Sequence, residues 1–292
     1  MKLSYFYEQA IKFGAACDPR KNKAAIKFYP DTAILYGSPD TRIKRVMVGI
    51  DIEAAELLLA ERIRAAGGLD LVLAHHPEGR AYASLYKVME LQADLLRKIG
   101  LSEKVARELL EERMLEVERK VLPQNHNRPV DAARLLDMPF MCVHTPADNQ
   151  VFDFMHKLML QKRPKKVQDI IDILCGIAEY KEAQNSSSGP RILLGSPRRP
   201  VGKILVEMTG GTEGSKDVFD KLYRVGVRTL LSMHLSEEHL KKVKDANLNV
   251  VIAGHISSDT LGLNLLLDRI ENAAGETLQV INSSGFIRFK RN

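Results

Sequence analysis

The sequence has no tryptophan among its 292 residues, and only three cysteines, Cys17, Cys142 and Cys175. An odd number of thiols, none spaced Cys-x-x-Cys, gives no disulfide framework and fits reduced, buried thiols in a cytoplasmic protein. No apolar run approaches the roughly 18 residues that span a bilayer, so a membrane is not an expected partner. The segment MKLSYFYEQAIKFGAA carries Glu8 and Lys12 where a signal peptide is apolar, and it reads as an amphipathic helix. A phosphate-loop motif is also missing. Gly210-Gly211-Thr212-Glu213-Gly214-Ser215-Lys216 fails the required spacing and reads as a tight turn between a strand and a helix. A basic stripe with interleaved aromatics is lacking too, although the net charge is +6. The excess reads as local, in Arg191, Arg198, Arg199, Lys203, Lys290 and Arg291. Solvated surface charge therefore outweighs a nucleic-acid footprint, while a small anionic substrate remains compatible with the balance.

What is present is an ordinary core-forming composition, 45% hydrophobic and 27% charged, arranged as alternating strand and helix patterns. Residues 45–50 and 69–74 read as buried strands, and the second ends at His75-His76-Pro77. Two charged helical patterns fill 84–121, split by Gly100 and the N-cap candidate Ser102. They read as a helical hairpin inserted into the domain, whose narrow apolar seam suits either its own sheet or another subunit. A short helix at 131–137 leads to the strand MPFMCV, which ends at His144, and further helices lie near 150–161 and 165–183. The Ser-, Gly- and Pro-rich stretch 184–200 reads as a connection.

The second half repeats this order. VGKILVEM is a strand, VRTLLSM is a strand ending at His234, and LNVVIAG is a strand ending at His255. ETLQVINSSGFIRF reads as a hairpin turning at 283–285. LDLVLAHHP lies against VRTLLSMHL, and PFMCVHTPAD against NVVIAGHISSD, an alignment taken to set His234 against His75. The expectation is an α/β (α+β) fold of two similar lobes related by a pseudo-two-fold axis. Residues 1–183 form the first lobe, 184–200 the connection and 201–292 the second lobe.

His-x-x-x-Asp occurs twice at strand ends, as His144 to Asp148 and His255 to Asp259. Ligands gather beyond the carboxyl ends of strands in such sheets, where all these histidines fall. Imidazole and carboxylate suit Zn, Fe, Mn or Co. Side chains alternate along a strand, so His75 and His76 either serve one metal each, or one ligates while the other orients it. His126, His156 and His239 read as surface residues.

The segments ILYGSPDTRIKRVMVGID, LVLAHHP, VHTPAD and LSEEHLKKVKDANLNVVIAGHISSDTLGLN resemble the Nif-three-like family. That family is named for a yeast NGG-interacting factor and is also known as the GTP cyclohydrolase I type 2 homologues. Its signatures are a His-His pair, a His-Thr-x-x-Asp and a Gly-His-x-x-x-Glu, in that order, and the likeness covers most of the chain. The resemblance implies two divalent metal ions held by His75, His76, Asp148, His255 and Asp259, and a toroidal homohexamer whose metals face an internal cavity. His144 would orient a ligand, and His234 would reach the cavity as an extra ligand or proton shuttle. Three positions depart from the pattern. Asp259 stands where the family usually has Glu, Met233-His234 where Gly and an acid are common, and the insertion lengthens the His76 to Asp148 spacing. The expected function is a dinuclear metal-dependent hydrolase acting through an activated water on a nucleotide, phosphoester or cyclic amide. The alternative is a non-catalytic metal-binding scaffold.

Overall fold

Strands and helices follow one another in two rounds of the same order. The computed structural model of the protein describes residues 1–291. The first round comprises α1 (Leu3–Cys17), β1 (Ala33–Tyr36), β2 (Arg45–Gly49), α2 (Ala54–Gly67), β3 (Leu71–Ala74) and the short α3 (Gly79–Ala83). The insertion supplies α4 (Leu91–Ile99) and α5 (Glu103–Val121), then α6 (Arg128–Leu135), β4 (Phe140–Cys142) and α7 (Thr145–Lys162) complete the round. After α8 (Val167–Cys175) and α9 (Ala178–Asn185), the second round runs through β5 (Arg191–Leu194), β6 (Lys203–Glu207), α10 (Phe219–Arg224), β7 (Val227–Ser232), α11 (Glu237–Asp245), β8 (Asn249–Ile252) and α12 (His255–Ala274). A last strand, β9 (Gln279–Asn282), ends the series.

The strand orders are β1-β4-β3-β2-β9 and β5-β8-β7-β6. Four parallel strands in the first sheet and three in the second are edged by one antiparallel strand, β1 or β5. The duplication expected from sequence is therefore present strand for strand. The hairpin expected at the end is not. β9 runs parallel to β2, with Val280 beside Val46, and joins the first sheet. The second-lobe span 201–292 is corrected accordingly, because the apolar run after α12 finds its ladder partners on β2. The stretch read as a connection, 184–200, contributes the edge strand β5.

Alternation along the strands decides which layer each residue meets. Val46, Val48, Leu71, Leu73 and Met141 face inward onto α1, α7 and α12, while Met47, Val72 and Phe140 face α2 and α6. In the second sheet Val206, Leu231 and Val251 face α7, α8 and α12 from the opposite side. Helices α7 and α12 thus lie between the two sheets. At about 2 kcal/mol per buried aliphatic side chain, packing on both flanks holds them firmly.

The inserted hairpin packs on this chain. Leu96, Ile99, Leu101, Val105 and Leu109 cover Leu205, Phe219 and Leu222 of the second lobe. Ser102 caps α5 by accepting a hydrogen bond from the Val105 amide. The C-terminal residues are tied back to α12 and α9: Arg288 pairs with Asp268 and Glu271 of α12, and Arg291 with Glu179 of α9. Arg288→Ala leaves two nearly buried carboxylates short of a partner, and is expected to cost about 2 kcal/mol in a denaturant melt.

Candidate metal centre

His75 follows β3 in phase with Leu71 and Leu73, so its side chain enters the layer occupied by α7 and α12. His75 is fully buried. Its amide donates to Gly49 O and that of His76 to Ile50 O, so the ladder carries both residues past the assigned strand. The two rings lie 5.3 Å apart, centre to centre. The alternation that would separate them is undone by the bend of the chain at His75 and His76. Asp148 stands in the first turn of α7 and Asp259 in the second of α12, both buried.

Each of three imidazoles is anchored through Nδ1, which leaves Nε2 for the centre. His75 Nδ1 donates to Val143 O at 3.0 Å, His76 Nδ1 to Asp51 at 2.6 Å, and His144 Nδ1 to Asp31 at 2.8 Å. Asp31 also accepts from the Thr145 hydroxyl. Such partners fix the tautomer and the ring orientation of metal-binding histidines. The Nε2 atoms then converge on carboxylates. His75 Nε2 is 3.3 Å from Asp148 Oδ1 and 3.5 Å from Asp259 Oδ1. His76 Nε2 and His255 Nε2 each lie 3.5 Å from Asp259 Oδ2, and His144 Nε2 lies 3.8 Å from Asp148 Oδ2.

These separations suit a shared cation. Two donors about 2.1 Å from one tetrahedral ion sit about 3.4 Å apart. His75 Nε2 and Asp259 Oδ2 are buried and make no hydrogen bond, a costly state for polar atoms that a bound cation would relieve. Three groups could each hold an ion: His75, His76 and His144; His76, His255 and Asp259; His75, Asp148 and Asp259. Electrostatics agrees. Burial opposes a charge on His75, yet Asp259 and Asp148 lift it to about 10, and against the same burial Asp259 and Asp51 lift His76 to about 9. Burial outweighs Asp259 at His255 and pushes that imidazole down, which favours the neutral form a metal binds.

All five residues expected to bind metal meet at this centre. His144, expected only as a support, also directs Nε2 into it. Asp31 and Asp51 were missed, although Asp51 follows a buried strand directly, the same position that drew attention to the histidines. Asp31→Asn or Asp51→Asn is expected to weaken metal binding roughly 10- to 100-fold, as measured by titration calorimetry.

The duplicated motif is not in register. Pairing sets Ala74 beside Cys142 in one sheet and Ser232 beside Ile252 in the other. Met233 therefore occupies the place of His75, and His234 that of His76, which corrects the alignment of His234 with His75. By the same count Gly254 matches His144 and His255 matches Thr145. His144 is the N-cap of α7, whereas His255 is the first residue of α12. The second lobe thus has apolar Met233 where the first has an inward ligand candidate, and the two halves form one centre rather than two copies.

A small cleft of about 50 Å³ opens beside the centre. His144, Asp148, His255 and Asp259 line one side, and Glu207, Thr209, Glu213 and His234 the other. The His234 ring lies 4.7 Å from that of His255, so it reaches the centre's edge. Burial would raise the Glu213 carboxyl, but His234 and Ser236 bring it down to about 2. Glu213 in turn raises His234 above its ordinary value. His239 is buried and bonded to Gly214 O and Ser236, so it is no surface residue. His156 is exposed, as expected.

The solved structure of a NIF3 superfamily protein from Sphaerobacter thermophilus is similar to this one, with 28% identity, a TM-score of 0.78, and 95% of this chain and 97% of that one covered. The chain belongs to the NIF3 superfamily. Reduced HcgD from Methanocaldococcus jannaschii shares the NIF3 fold at 16% identity and a TM-score of 0.57, with 97% of each chain covered. The protein TTHA1606 from Thermus thermophilus does so at 13% identity and a TM-score of 0.54, again with 97% of each chain covered. No family model and no curated protein matches the sequence. No helix among the described residues of this NIF3 protein is long and apolar enough to cross a membrane.

Proposed function

We propose that this NIF3 protein is a metal-dependent hydrolase with a dinuclear centre of Zn, Fe, Mn or Co. The observation that carries the reading is that two buried atoms, His75 Nε2 and Asp259 Oδ2, lack hydrogen bonds among Nδ1-anchored imidazoles. Asp259 presents Oδ1 to His75 and Oδ2 to His76 and His255, as a carboxylate between two ions would. The aspartate that replaces the usual glutamate is thus long enough to reach both groups. His75, Asp148 and Asp259 would hold one ion, and His76, His255 and Asp259 the other, with His144 facing Asp148. Divalent cations held there supply Lewis acidity, polarising a substrate oxygen and lowering the pKa of water.

The chain's own residues do the remaining work. Asp31 and Asp51 keep His144 and His76 in the tautomer that presents Nε2. Glu213 holds His234 across the cleft, within reach of a leaving group that needs a proton. An anionic phosphoester, nucleotide or cyclic amide is the proposed substrate class. Assembly as a homo-oligomer, a hexamer by family resemblance, is supported by the exposed Leu58 and Leu59 of α2 and Leu135 of α6.

The test is metal analysis followed by a hydrolysis screen of phosphoesters and cyclic amides with and without added ions. Asp148→Ala and His255→Ala are expected to abolish metal-dependent turnover with the fold retained. Stoichiometric metal without turnover on any of these substrates would favour the scaffold reading instead.

A further inference from the structure

Three of the six basic residues singled out in the sequence are already engaged. Arg291 is paired with Glu179, Lys290 with Glu271, and Lys203 donates to Ile99 O. A second group of cations surrounds an open cleft of about 1120 Å³ between the segment after α1 and the segment from α3 to α4. Six cations line it, Arg20, Lys21, Lys27, Arg80, Lys87 and Arg97, against only Glu90 and Asp94.

These cations are not equivalent. Arg20 is neutralised by Asp18, and Arg97 by Asp94 and Glu103. Arg80 is fixed by its bond to Ile34 O and keeps its charge. The exposed Lys21, Lys27 and Lys87 have no acidic partner among the described residues. Beside them Phe28 is 64% exposed, unusual for a large aromatic residue, and Ile26, Pro30 and Val88 add apolar lining. The cations come from two separate stretches of the chain, 20–27 and 80–97, which suits several phosphates along a strand better than one phosphate. A concave cleft with an exposed ring also suits a base better than a flat lipid surface.

We propose that this cleft binds single-stranded nucleic acid, with Lys21, Lys27, Lys87 and Arg80 on successive phosphates and Phe28 stacked on a base. The site is separate from the hydrolytic reading and does not depend on it. With about four phosphates neutralised, binding should weaken about 50-fold as salt rises from about 50 to 200 mM.

The experiment measures the fluorescence anisotropy of labelled 20-mer oligo-dT and oligo-U with the full chain. Expected results are micromolar or tighter binding at low salt, and loss in the Lys21→Glu/Lys27→Glu/Lys87→Glu variant. Phe28→Ala should weaken binding roughly tenfold, and a charge-matched Arg191→Glu/Arg198→Glu/Lys165→Glu control should leave it unchanged. Because all the altered side chains are exposed, circular dichroism should show the same fold throughout. Absence of binding at low salt, full binding in the triple variant, or loss of binding on chelation of metals would overturn the proposal. Equal competition by poly-glutamate with no effect of Phe28→Ala would do the same, by assigning the cleft to an acidic polypeptide.

Discussion

Asp259→Asn is expected to strip the purified protein of divalent metal, with affinity falling more than about 100-fold. Even outer partners of a metal ligand typically cost roughly 10- to 100-fold, and Asp259 belongs to two of the three candidate groups. Plasma emission analysis and titration calorimetry measure the loss. The same variant changes a pH profile. In chelated wild type, protonated His75 and His76 replace the cation, with values of about 10 and about 9 against 6.5 for a free imidazole. Both are raised, so their stabilisation is complete below about pH 6.5 and is lost as the pH climbs through 9 to 10. Chelated wild type should therefore show urea midpoints that fall over that window, and chelated Asp259→Asn a flatter curve. Parallel curves would remove Asp259 as the source of the field.

Gly262→Val should cost about 3 kcal/mol and release metal as well. A Cβ on Gly262 would stand 2.5 Å from Ala147 O, so α12 touches α7 through bare backbone at this point. Gly262 lies one helical turn beyond Asp259, and Ala147 immediately before Asp148. Any side chain forces the two helices apart and moves the two carboxylates with them. Chemical denaturation reads the stability, and the metal content reads the displacement. A variant that loses stability yet keeps full metal affinity would show that the centre does not depend on this contact.

Much of the architecture was legible because buried strands and amphipathic helices have distinct periods, as in residues 45–50 and 69–74. The errors came where local pattern is neutral between partners. Gln279–Asn282 reads the same as half of a hairpin or as a strand added to β2, and only the availability of the β2 edge decides. The strand in the Ser- and Gly-rich stretch was hidden because its apolar run, Ile192 to Leu194, is short and lies between Gly189-Pro190 and Gly195, which read as loop. His239 looked like a surface residue because its distant partner, Gly214 O, lies on a fold-back that a linear pattern does not reveal.

The sequence by itself determined the duplicated strand-helix order and set histidines at strand ends, because strand ends and helix starts are local features; the set of five ligands came from the family resemblance. Only the tertiary structure decided that the two His-x-x-x-Asp motifs are one residue out of register, that Asp31 and Asp51 anchor the imidazoles, and that distant basic residues share one cleft. Each of these depends on which surfaces pack together, and packing joins residues that have no local relation in the chain.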